Sequence, residues 1–265
     1  MFLNRLLSRN LMRRPSGAYK RAQLPPPVEI DSMSAVEAIA SMRANPGDAA
    51  VQKKGLCQLA TAARGSPGVG SRSIVAAGGI EAVVAAMNAH MGVADVQEYG
   101  CGALGVIAAM ADENQVKVAA AGGIEAVVAA MKAHRGVADV QKEGCLALTF
   151  IADAAENQAK VVAAAGGIEV VVAAMNAHRA VANVQESGCS ALYVIAPDAA
   201  AAWNWTKVAA MSGIEAVVVA MNAHRGVADV QGLGCKALFA IACASSENRN
   251  QVTTAGGIEA VVAAM

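Results

Sequence analysis

The tetrad Gly78-Gly79-Ile80-Glu81 returns four times, as Gly122-Gly123-Ile124-Glu125, Gly166-Gly167-Ile168-Glu169, Ser212-Gly213-Ile214-Glu215 and Gly256-Gly257-Ile258-Glu259, at spacings of 44, 44, 46 and 44 residues. A second marker keeps the same beat: Gln97-Gly100-Cys101, Gln141-Gly144-Cys145, Gln185-Gly188-Cys189 and Gln231-Gly234-Cys235. An earlier, divergent copy has Gln52 and Gly55, with Leu56 in the cysteine slot. A chain that repeats at a period in the forties stacks supersecondary units, either small sets of helices or four-stranded propeller blades. The chain is 55% hydrophobic but only 3% aromatic, so its core is made from Ala, Val, Ile and Met. That composition, with apolar residues at helical spacing, excludes blades and selects stacked helices.

Each copy reads as three pieces. Asn114 is placed to cap a short first helix over 115–121, and Asn157, Asn204 and Asn248 stand in nearly the same slot. The glycine pair then ends that helix and turns a corner, since glycine enters positive φ without steric cost. A second helix is expected over 80–89, with Glu81 in its first turn, where a carboxylate suits the positive end of the helix dipole. Its Ile80, Val83, Val84 and Met87 form an i, i+3, i+4, i+7 face. A third helix runs over about 95–108, with Cys101, Leu104, Ile107 and Ala108 on one side.

One such unit cannot bury its own apolar face, so neighbours must cover it and end units need caps. Residues 34–63 read as a degenerate first unit, with Val36, Ile39 and Met42 standing for the second helix and 51–63 for the third. At the other end the sequence reaches Met265 after the second helix of a further unit. Three readings follow: this helix is the cap, the chain is a fragment of a longer solenoid, or this end self-associates; the unfinished repeat also suggests an alternative function, as a regulatory or targeting fragment of a larger multidomain protein.

Taken together, the asparagine, the A-G-G-I corner, the V-Q-x-x-G-C run and the A-L-x-x-I-A run resemble the armadillo repeat family, over residues 34–265. The resemblance implies an all-α, right-handed superhelical solenoid of about five three-helix repeats, the first degenerate and the last incomplete. It also implies that residues 29–265 form one repeat domain, whose third helices line a concave groove for extended peptides or partner proteins. The nuclear-import adaptors of this family hold basic peptides with ladders of Trp and Asn. Here the Trp slots read Gly102, Leu146, Ser190 and Lys236, and the Asn slots Val106, Phe150, Val194 and Ala240. Both ladders are gone, which argues against nuclear import.

In their place the groove is expected to present Val106, Leu146, Phe150, Tyr193, Val194 and Phe239, edged by Glu98, Lys142, Glu186 and Lys236. This points to a non-enzymatic adaptor that receives an apolar or amphipathic segment of a partner protein, with aromatic anchors dominating the energy. The competing reading turns Phe150 and Phe239 into the stack. The two-residue excess of the fourth interval falls in 196–205, with Pro197 at the end of a third helix and both tryptophans, Trp203 and Trp205, behind it. Exposed, those rings would form a second partner-binding site; otherwise they plug the gap left by the insertion.

Four histidines recur in step, His90, His134, His178 and His224, and four cysteines do likewise, joined by Cys57 and Cys243. Equivalent residues of stacked helices lie about 8–10 Å apart, too far for two of them to share one zinc ion. The reading is therefore no metal and no cofactor: each His meets the terminal carbonyls of its own helix, and each Cys is a small buried hydrophobe in a reducing compartment. No phosphate-binding loop motif is present, and repetition itself argues against a catalytic site.

Residues 1–28 hold six bases (Arg5, Arg9, Arg13, Arg14, Lys20 and Arg21) and no acid before Glu29, while Leu3, Leu7 and Leu11 fall opposite the first three arginines on a helix. With Pro25-Pro26-Pro27 behind it, this segment reads as a mitochondrial presequence and linker, the alternative being a basic tail on a cytoplasmic protein. The remaining chain keeps fifteen bases against twenty-one acids and is a poor partner for nucleic acid. The longest apolar stretch, 161–175, is broken by Gly166, Gly167 and Glu169 and is too short to span a bilayer.

Overall fold

The computed structural model describes residues 34–65, 70–164, 166–195, 207–209 and 211–265, and every regular element among them is helical. The first unit has two helices, α1 (Ala35–Ala44) and α2 (Ala49–Gly65). Three complete units follow: α3 (Gly70–Ala76), α4 (Gly79–Ala89) and α5 (Ala94–Met110); α6 (Asp112–Ala120), α7 (Gly123–Ala133) and α8 (Ala138–Ile151); α9 (Ala155–Ala164), α10 (Gly167–Ala177) and α11 (Ala182–Ile195). The fifth contributes a helical turn at 207–209, then α12 (Gly213–Ala223) and α13 (Ala228–Ala244), and the last contributes α14 (Ser246–Thr254) and α15 (Gly257–Ala263). The presequence reading at 1–28 and the Trp203 and Trp205 loop lie outside the described residues.

The two glycines of each corner have different jobs. The first adopts the left-handed conformation, with φ of 74° at Gly78, 81° at Gly122, 70° at Gly166 and 81° at Gly256. Ser212 takes the same conformation (φ 58°) in the one copy without that glycine. The second glycine has ordinary helical geometry, but a Cβ there would lie 2.7 Å from the Val118 carbonyl oxygen at Gly123 and 2.5 Å from that of Val161 at Gly167. Only a residue without a side chain lets the second helix start so close to the end of the first.

The V-Q-x-x-G run of the third helix is a clasp onto the second. Gln97 Nε2 donates to the Met87 and His90 carbonyls at 2.9 and 2.8 Å, and Gln141, Gln185 and Gln231 do the same to Met131 and His134, Met175 and His178, and Met221 and His224. Gln52 repeats it on Met42 and Asn45 in the degenerate unit. These bonds occupy carbonyls that a helix C-terminus otherwise leaves unpaired. One turn later each glycine gives the methionine its space: a Cβ on Gly144 would stand 2.5 Å from Met131 Cγ, and Gly100, Gly188 and Gly234 repeat the contact with Met87, Met175 and Met221.

Two expected roles change. Asn114 does not cap the first helix, which already starts at Asp112; it lies buried in the first turn and donates to the Ile107 carbonyl at the end of the preceding third helix. Asn157 bonds Ile151 and also Gln115 of the preceding unit, and Asn248 bonds Ile241. The histidines likewise reach beyond their own helix, whose last carbonyls the glutamines hold. His90 Nε2 bonds the Pro46 carbonyl, His134 that of Met91, His178 that of Arg135 and His224 that of Arg179, at 2.7–2.8 Å. A carbonyl only accepts, so each Nε2 carries its proton and ties one unit's loop to the loop before it.

Candidate functional site

The third helices α2, α5, α8, α11 and α13 pack on one another in series far more extensively than the second helices do. The third helices therefore form the more closely packed layer of the stack. Their close approach depends on small residues: a Cβ on Gly105 of α5 would meet the Ala147 Cα of α8 at 3.3 Å.

That closeness decides which expected groove residues can be reached. Val106, Leu146, Phe150, Tyr193 and Val194 are all buried, and Phe150, at 1% exposure, is among the largest fully buried side chains. They fill the seams of the stack and offer a partner almost no surface, which corrects the expectation of an apolar groove floor. Glu98, Lys142, Glu186, Lys236 and Phe239 are half-buried and remain reachable.

Around Glu98 the face is electrostatically uneven. Burial, and then the charges of Asp139, Glu143 and Asp95, push the Glu98 carboxyl above the usual carboxylate range, opposed by Lys142. Lys142 Nζ lies 2.8 Å from Glu143, and Lys53 Nζ lies 2.6 Å from Asp95 and 5.5 Å from the centre of the Tyr99 ring. The empty Trp slot has a consequence here: a Cβ on Gly102 would stand 3.3 Å from Glu143 Oε2, so the carboxylate of the next unit leans over the position where import adaptors carry a ring. Sequence reading named Glu98 and Lys142 but missed Glu143, Asp95 and Asp139; the V-A-D before Gln97, Gln141 and Gln231 was the available signal for the two aspartates, and nothing in the repeat marked Glu143.

The cysteines stay within the apolar stack. Cys101, Cys145 and Cys189 are buried, and burial pushes the Cys145 and Cys189 thiols up to about 12, with Cys101 raised as well. Cys243 is exposed. Among the described residues no group of His, Cys, Asp and Glu is arranged to hold a metal ion, and no single helix is long and apolar enough to cross a membrane.

Comparison with known proteins agrees with this architecture. The family model described as LRRK2 ARM repeat matches residues 77–219, more than half of the chain. Among solved structures, an engineered protein studied by the Northeast Structural Genomics Consortium as target OR366 superposes with a TM-score of 0.75 at 24% identity, covering 87% of this chain and 89% of that one. A second engineered protein, target OR329, gives 0.72 at 27% identity over 85% and 86%. A designed armadillo repeat protein in complex with the peptide (KR)4 gives 0.71 at 18% identity over 86% and 90%. No curated protein matches the sequence. With three-helix units stacked through glycine corners and glutamine clasps, and with the family match spanning its central repeats, the chain belongs to the armadillo repeat family.

Proposed function

We propose that this armadillo repeat protein acts by binding rather than by catalysis, holding an extended amphipathic segment of a partner protein along its concave face, with a basic side chain of that segment seated among Glu98, Asp139 and Glu143. The carrying observation is the Glu98 carboxyl, raised first by burial and then by the charges of Asp139, Glu143 and Asp95, with Lys142 opposing: a half-buried carboxylate among others gains from an incoming cation. The (KR)4 peptide held by a designed protein of the same fold supports a basic ligand, and the burial of five of the six apolar groove positions counts against a purely apolar one. The probe is labelled (KR)4 peptide, followed by fluorescence anisotropy at low salt. Glu98→Lys weakens binding about tenfold, since it replaces an attraction by a like-charge contact. No binding by the wild type, or equal binding by Glu98→Lys, would sink this reading. The proposal places the protein in mitochondria through residues 1–28; a reporter fused behind that segment and found only in the cytosol removes that part.

A further inference from the structure

The turns between second and third helices carry a row of arginines. Arg135, Arg179 and Arg225 each follow the histidine that ends the second helix, in three consecutive units, where the earlier units have Pro46 and Met91. All three are exposed. Their backbone is held in step by the histidine ties: His178 bonds the Arg135 carbonyl and His224 the Arg179 carbonyl, both at 2.8 Å, so each turn lies against the next. Arg179 Nη2 also donates to Asn176 Oδ1 at 3.0 Å, and Arg225 Nη2 to Asn222 Oδ1 at 3.3 Å. A guanidinium has five N–H donors, so one such bond orients the group and leaves the others available.

These charges are not spent on the fold. A base beside a helix C-terminus ordinarily serves the last carbonyls. Here Gln141, Gln185 and Gln231 already hold them. Among the described residues none of the three arginines forms an ion pair. The acids that follow the turns serve a different surface or are missing. Asp95 and Asp139 raise the Glu98 carboxyl, and Asp95 is bound to Lys53. Behind Arg179 the aspartate slot holds Asn183, which leaves Asp229, behind Arg225, as the remaining acid of this row.

We infer that the row of turns is a second binding surface, which takes an extended acidic segment of a partner protein with one carboxylate per unit. The spacing selects the segment. Stacked helices lie about 8–10 Å apart. A polyproline II chain turns once in three residues and rises about 3.1 Å per residue, so side chains at i, i+3 and i+6 share one face at steps of about 9 Å. An acid at every third position therefore meets Arg135, Arg179 and Arg225 in register, each as a two-bond guanidinium–carboxylate pair. Duplex nucleic acid carries a charge every ~1.7 Å of its axis, far denser than this row. The surface lies at the turns and does not rest on the Glu98 reading.

The test uses the full 265-residue chain and the labelled peptide (EPP)4, followed by fluorescence anisotropy near physiological salt, where exposed charges more than about 8 Å apart are largely screened. The expected result is binding of (EPP)4 in preference to (EP)4, which carries the same acids at every second position. Arg179→Glu weakens (EPP)4 binding about tenfold, since an attraction becomes a like-charge contact. Lys160→Glu, the same change of charge at an exposed site on α9, leaves it nearly unchanged. Unchanged far-UV dichroism shows that both variants fold. Failure of the wild type to bind (EPP)4 overturns the inference, as does equal loss in the two variants, which would report net charge alone. Equal affinity for (EP)4 overturns the register. Tighter binding of oligothymidylate than of (EPP)4 overturns the acidic-peptide assignment in favour of a nucleic acid backbone.

Discussion

The edge of the solenoid where second helices meet third helices and the concave face of those same third helices are made from one repeated sequence, yet they vary very differently. At the edge, the glutamine clasp is copied five times and the histidine tie four times with nearly the same distances. On the concave face the equivalent Trp-slot positions read Gly102, Leu146, Ser190 and Lys236. The copied edge sets how units stack, and the varied face is where one unit's surface differs from the next, as the proposed binding role requires. In a repeat protein, the function is sought where the repeat departs from itself.

The sharpest way to break this comparison is to make one substitution in both regions. Gly144→Ala forces a methyl into the space of Met131 Cγ, 2.5 Å away, and should lower stability by about 1–3 kcal/mol in chemical unfolding, the range for overpacking a core. Gly102→Ala meets only the end of the Glu143 side chain at 3.3 Å, so the gain in helix propensity, up to about 1 kcal/mol, should dominate and stabilise. Equal effects at the two glycines would erase the distinction.

A smaller effect tests the one flaw in the copied frame. Ser212 holds a left-handed conformation that costs an L-residue about 1–2 kcal/mol, and glycine returns part of this as chain entropy, so Ser212→Gly should stabilise by roughly 0.5 kcal/mol. A loss of stability would mean that the serine side chain makes a contact of its own.

The smallest effect belongs to the varied face. The folded Glu98 carboxyl is raised above its ordinary 4.5, so its favourable contribution is complete below about that pH and is lost as pH rises through the higher folded value. Glu98→Gln should therefore melt slightly above wild type at pH 7, and the difference should vanish near pH 4. A variant that melts lower at pH 7 would show that the carboxylate is structurally satisfied and would weaken its assignment to binding.

Much of the frame was legible because helix, corner and clasp each leave a mark at fixed spacing. The second helix was expected over 80–89 and runs Gly79–Ala89; the third was expected over 95–108 and runs Ala94–Met110. What the spacing did not carry was direction. Neighbouring positions on a helix differ by about 100°, so one step separates a groove position from a seam. Val106 and Phe150 went to the seam because Gly105 and Ala147 let α5 and α8 come close, a distance no single unit encodes. The histidines were misread for a related reason: their acceptors, Pro46, Met91, Arg135 and Arg179, lie 43–45 residues earlier, where local helix rules do not look.

Those histidine ties also make the units interchangeable parts. Donor and acceptor of each bond sit in different copies, and the three complete copies each offer the same pair: a ring nitrogen toward one neighbour and a loop carbonyl toward the other. Excising residues 122–165 joins Ala121 to Gly166, recreates the corner, and brings His178 opposite the Met91 carbonyl that His134 had used. The chain can thus be lengthened or shortened by whole copies without redesigning any junction, so evolution can adjust the reach of the concave face one unit at a time.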